Sequence, residues 1–126
     1  MSYSNFSELK MRIKIHKEEG LSIIKLIGRY DIEEVYDFDI LFQNQIDMNV
    51  SVIALNLAEL RYIDSSGIGS LIRSKNTAMK NGIEFLCYNL HKDIVYTFQL
   101  SKIDQFLTIL SEDEFLNKYV TIFDVG

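Results

Sequence analysis

Tyr62-Ile63-Asp64-Ser65-Ser66-Gly67-Ile68-Gly69-Ser70 joins two segments of different periodicity. Before it lies a continuous apolar run, Val52 to Leu57, and after it a helical spacing of apolar residues from about Gly67 to Lys80. A short polar join of this kind marks a strand running into a helix. Asp64, Ser65 and Ser66 therefore fall at the first turn of that helix. Such a turn carries unpaired backbone N–H groups and the positive end of the helix dipole, both suited to a phosphate. A serine placed there can cap the helix, act as a nucleophile or accept a phosphoryl group. Asp and Ser are also preferred N-cap residues, so the segment taken alone favours a cap.

The flanking sequence extends the pattern in both directions. Met11, Ile13 and Ile15 alternate with Arg12, Lys14 and His16, as in a half-buried strand. Glu18-Glu19-Gly20 marks a turn into a second strand, Leu21 to Ile27, and so short a join favours an antiparallel hairpin. Asp31 is placed to cap a helix from Ile32 to about Ile46, with Val35, Phe38, Leu41, Phe42 and Ile46 on its apolar face. Gln43 to Asn49 has the polar composition of a loop. Val52 to Leu57 then reads as a central strand covered on both faces. In the helix after it, Ile68, Leu71, Ile72, Ala78 and Met79 form the expected stripe, and Asn81-Gly82 ends it.

Ile83 to Tyr88 is a further strand, and residues 92 to 100 form a short helix carrying Ile94, Val95 and Phe98. Phe106 to Leu110 resembles a last strand, and Ser111 to Glu114 carries the S-x-x-E capping box before a final helix. The order is β-β-α-β-α-β-α-β-α. Alternation after an opening hairpin predicts a mixed sheet with about four helices packed on it. The domain is expected over residues 10–120, between a polar N-terminal extension (1–9) and a tail (121–126) in which Ile122 and Phe123 could dock.

Composition narrows the function. A length of 126 residues fits one domain with a single core. A net charge of −5 without a Lys/Arg run argues against a surface that tracks nucleic-acid phosphates. No apolar stretch approaches the ~20 residues of a membrane span, and the start has no signal-peptide core. Cys87 is the single cysteine, which excludes an intramolecular disulfide or a cysteine-rich zinc site. A cytoplasmic protein is the expectation.

Catalysis at residues 64–69 lacks its usual parts. The only histidines, His16 and His91, are remote in sequence from Ser65. The G-x-S-x-G elbow, the phosphate-loop motif, the dinucleotide fingerprint and metal-ligand spacing are all missing. No cofactor is implied, although the segment could still serve as an anion cradle.

Three segments in register change the balance. Gly28-Arg29-Tyr30-Asp31, Ala54-Leu55-Asn56-Leu57-Ala58-Glu59-Leu60 and Tyr62-Ile63-Asp64-Ser65-Ser66-Gly67-Ile68-Gly69 together resemble the STAS family, specifically the stand-alone bacterial anti-sigma factor antagonists. The resemblance runs over roughly residues 10 to 118. It implies a STAS-like fold and a non-catalytic protein in which Ser65 accepts phosphate. It also implies two partners: an anti-sigma factor that is an ATP-dependent serine kinase, and a metal-dependent serine phosphatase. Unphosphorylated antagonist would bind the kinase and free a sigma factor, and phosphorylation would end that binding. By the same resemblance Asp31 and Asn56 line the contact surface and Asp64 orients the acceptor, with Ser66 as a neighbouring cap and Gly67 beside it. The alternative is a STAS scaffold, never phosphorylated, that assembles a signalling or transport complex.

Overall fold

A computed structural model describes residues 10–120. Strands β1 (Arg12–Glu18) and β2 (Leu21–Tyr30) form the hairpin. Its two-residue turn holds Glu19 and Gly20 at φ of 35° and 85°, the left-handed geometry that matches strand twist. Helix α1 (Ile32–Asp47), strand β3 (Val52–Ile63), helix α2 (Ser65–Lys80) and strand β4 (Glu84–Tyr88) follow. Helix α3 (Lys92–Ser101), a tight turn at Ile103–Gln105, strand β5 (Ile109–Leu110) and the short helix α4 (Glu112–Phe115) complete the order. After α4 the chain winds on more widely through Leu116–Val120.

The sheet order is β1-β2-β3-β4-β5, with β1 antiparallel to β2 and every other pair parallel. Each parallel strand is added on the same side of the last. Crossovers of one hand then place α1, α2 and α3 on one face. There Ile24, Leu26, Ile53, Leu55, Leu57 and Phe85 meet Phe38, Phe42, Leu71, Ile94 and Phe98. An aromatic series, Tyr30–Phe38–Phe42–Phe85, runs through this core with ring centroids 5.3, 5.9 and 5.6 Å apart. The second face is closed by α4, whose Phe115 packs with Leu21, Ala54, Leu86 and Tyr88.

The structure departs from the sequence reading in several places, and strand β2 runs on past Ile27 to Tyr30. Strand β3 continues past Leu57 to Ile63, because it stays paired with β2 after leaving β4, through two register shifts. Helix α1 absorbs Gln43 to Asp47: Gln45 is buried and accepts a 2.8 Å hydrogen bond from Ser22 Oγ, so its polarity did not signal a loop. Only Ile109 and Leu110 form the last strand, and Phe106 is exposed. Helix α2 turns inward not Ile72 and Met79 but Gly67, Ser70, Leu71, Ser74 and Ala78. These small residues let it lie close to its neighbours. Segments 1–9 and 121–126, including Ile122 and Phe123, lie outside the described residues.

Candidate functional site

Parallel pairing of β2 with β3 brings two helix starts together. Tyr30 is the partner of Ile63, so Asp31 and Asp64 are the next residues on adjacent strands. Their backbones stand about one strand spacing, ~4.8 Å, apart. The Asp64 N–H donates to the Tyr30 carbonyl at 3.1 Å, which ties the two ends.

Each aspartate caps its own helix. Asp31 accepts from the Glu33 N–H at 3.1 Å, and Asp64 accepts from the Gly67 N–H at 2.9 Å. Both take extended backbone angles, as an N-cap residue does. Helix α2 thus begins at Ser65, two residues earlier than its apolar stripe indicates. Ser66 sits within the first turn, and the capping role expected of it belongs to Asp64. Ser65, the first helical residue, is exposed, and Ser66 is half-buried.

Gly67 is buried beneath this turn. A methyl group there would lie 2.7 Å from Ile63 Cγ1 and 2.8 Å from the Tyr30 carbonyl oxygen. The glycine therefore sets how closely α2 approaches the strand ends. Tyr30, fully buried, braces the same corner from below: its hydroxyl donates to Ser70 Oγ at 2.5 Å, and Ser70 donates to Asp39 at 2.6 Å. Arg73 closes the network on the other oxygen of Asp39 at 3.2 Å. Burial pushes the Tyr30 phenol well above its ordinary range, so it remains a neutral donor.

The surface around Ser65 combines negative charge with exposed apolar groups. Ile32, Tyr36 and Ile40 are 68%, 74% and 46% exposed, and their four-residue spacing makes one stripe along α1. Glu33, Glu34 and Asp37 stand beside it. The Glu34 carboxyl is raised above its ordinary range by partial burial first and by Asp31 next. Sequence reasoning missed this stripe because it followed the buried face; the signal was a second set of apolar residues at helical spacing.

Asn56 lies apart from these groups. It is mid-strand, and Leu57–Ile63 separate it from Asp64, a rise of roughly 25 Å. Its side chain accepts from the Ala58 N–H at 3.1 Å, next to the first register shift. Neither histidine serves Ser65 as a base: His16 pairs with Glu18 at 2.9 Å, and His91 caps α3 through the Asp93 N–H at 3.1 Å. No cluster of metal-ligating side chains occurs among the described residues. Nor is any helix among them long and apolar enough to cross a membrane.

The STAS domain family model matches residues 12–115. The chain belongs to the STAS family. No curated protein matches it. Among solved structures, this STAS domain is similar to an anti-sigma factor antagonist from Mycobacterium paratuberculosis, at 13% identity and a TM-score of 0.75 over 86% of this chain and 92% of that one. It is also similar to the phosphorylated Bacillus cell fate determinant SpoIIAA, at 19% identity and a TM-score of 0.64 over 93% and 100% of the two chains. A sulfate transporter family protein from Wolinella succinogenes shares the fold, with 14% identity and a TM-score of 0.67 over 88% and 93%. These identities speak for the fold.

Proposed function

We propose that this STAS domain is an anti-sigma factor antagonist controlled by phosphorylation of Ser65. The unphosphorylated form binds an anti-sigma factor that is also a serine kinase, and a metal-dependent serine phosphatase restores that form. The protein itself performs no catalysis and works in the cytoplasm. The observation that carries this reading is an exposed serine on the first turn of α2, beside the capped start of α1 and its apolar stripe.

The physics of the switch follows from that placement. A phosphoserine adds roughly −1.5 to −2 charges. Within the free protein the first turn of α2 tolerates it, since the helix dipole favours negative charge there. Against a docked partner the same charge crowds Asp31, Asp64, Glu33 and Glu34 and must be desolvated. A loss of ~3 kcal/mol weakens binding roughly a hundredfold without refolding the domain. Asp31, Ile32 and Tyr36 supply the contact, while Asp64, Ser66 and Gly67 shape the turn.

Ser65→Ala and Ser65→Asp serve as baits for a kinase of this type. The alanine variant should retain it and the aspartate variant should release it, with unchanged circular dichroism for both. Equal retention by both baits would sink the switch and favour the scaffold reading. The transporter-family neighbour makes that reading the second choice, with the same surface used for assembly.

A further inference from the structure

Helix α4 covers the second face of the sheet over β3 and β4. That cover reaches Leu21 on β2, and among the described residues the outer part of the face, along β1, is exposed and carries basic side chains. In the hairpin register Arg12 lies opposite Ile27, Lys14 opposite Lys25 and His16 opposite Ile23. Side chains alternate along a strand. Arg12, Lys14, His16 and Glu18 therefore share this face, with Glu18 paired to His16, and Ile13 and Ile15 turn towards the helical layer. Lys25 extends the group onto β2 and pairs with Glu59 of β3. The Glu59 carboxyl is held below its ordinary range by the hydrogen bond from Lys25 first, with the charges of Lys25, Lys14 and Arg12 adding to it. Three cations thus converge on one carboxylate, in a chain where 18 acidic residues outnumber 13 Lys and Arg.

The same strand is the edge of the sheet. Among the described residues β1 pairs with β2 alone, and its outer side presents backbone N–H and C=O groups. Ile15 is 39% exposed there.

We propose that β1 is an addition site for an extended segment of a partner protein in which acidic and apolar residues alternate. A strand laid on this edge advances ~3.3 Å per residue, as β1 does, so every second side chain meets Arg12, Lys14 or His16. Carboxylates at those positions form cross-strand ion pairs, and the intervening apolar residues reach Ile13 and Ile15. A second copy of this chain fits less well, because β1 laid antiparallel on β1 about Ile15 pairs Arg12 with Glu18 but sets Lys14 against His16, whereas an acidic strand pairs with both Arg12 and Lys14. A charged edge also guards against self-association. A guard alone predicts no saturable binding of an acidic strand, which separates the two readings. This surface does not use Ser65, so the two functions stand or fall separately.

The test uses a fluorescent peptide of about twelve residues, long enough to span a strand, in which Glu alternates with Val and Thr. A block peptide of the same composition and phosphatidylserine vesicles are the controls. Saturable binding of the alternating peptide should weaken with added salt and slow hydrogen exchange at the amides of residues 12–18. Arg12→Glu combined with Lys14→Glu should weaken it roughly tenfold or more, and should create binding to a Lys-alternating peptide. Should that double variant lose its circular dichroism spectrum, Lys14→Gln supplies the comparison, with a smaller loss expected. Absent saturation, equal binding of the block peptide, or protection elsewhere in the fold overturns the proposal. Vesicle binding without peptide binding overturns it as well and assigns the face to a membrane.

Discussion

At Gly67 a single hydrogen atom in place of a methyl group decides how the Ser65 turn is seated. Helix propensity alone favours alanine over glycine by ~1 kcal/mol. At Gly67 that preference loses, since one of the atoms a methyl would strike is the Tyr30 carbonyl oxygen, which is backbone and cannot rotate aside. Gly67→Ala should destabilise the domain by about 1–3 kcal/mol through overpacking. Gly69 is the internal comparison: a methyl there meets only the end of Arg73 at 3.6 Å. Gly69→Ala should be neutral or stabilising by up to ~1 kcal/mol. Urea midpoints for the two variants check this, and a destabilised Gly69→Ala with an unaffected Gly67→Ala would refute the assignment. Asp64 shows a similar division of labour. Its carboxylate caps the helix, and the orienting of Ser65 proposed for it would start from that fixed position.

The elements differ in how plainly the sequence announces them. Helix α4 is the shortest, yet its capping box is complete: Ser111 Oγ accepts from the Glu114 N–H at 3.1 Å, and Glu114 accepts from the Ser111 N–H at 2.8 Å. It delivers Phe115, whose ring stacks on Tyr88 at 3.8 Å and neighbours Tyr119 at 5.2 Å. Phe115→Ala should cost about 3–5 kcal/mol, because its fully buried ring closes that part of the second face. Thermal unfolding would show it, and a loss below ~1 kcal/mol would mean the helix is dispensable. Asp31 and Ser111 were legible as caps because a cap is a local matter of side chain and adjacent backbone. The outer half of β3 was not. Residues Ala58 to Ile63 are held by β2 alone, a pairing that local periodicity does not encode. The buried face of α2 was hidden for a related reason. Ser70 and Ser74 read as polar until Tyr30, Asp39 and the Ser70 carbonyl are seen to satisfy them. The site was legible as a turn bearing serines, whereas the Ile32–Tyr36–Ile40 stripe emerged only once the other face of α1 was known to be buried.

For the molecule as a whole, Cys87 offers a titration that reports on folding. It is completely buried, and burial raises its thiol from 9.0 up to about 12. The folded state keeps the proton where the unfolded chain releases it. Stability is therefore complete below about pH 9 and declines as pH rises towards 12. Urea midpoints from about pH 8 to about pH 11 should fall more steeply for the native protein than for Cys87→Ala. Equal slopes would mean the thiol titrates alike in both states. Thiol reagents should likewise leave Cys87 unmodified until the domain unfolds.

The spatial order of the strands, β1 to β5, is also their order along the chain. No strand has to be inserted between two others that are already paired. A nascent chain can therefore close its hairpin first and then add each strand-and-helix unit to a finished edge as it leaves the ribosome. Synthesis proceeds from the N-terminus at ~5–20 residues per second, slow compared with the closing of a hairpin. Assembly can keep pace with translation, and the second face, with Leu21, Ala54 and Leu86, waits uncovered until Phe115 emerges. That interval is when this domain is most exposed to aggregation and when a chaperone would find it.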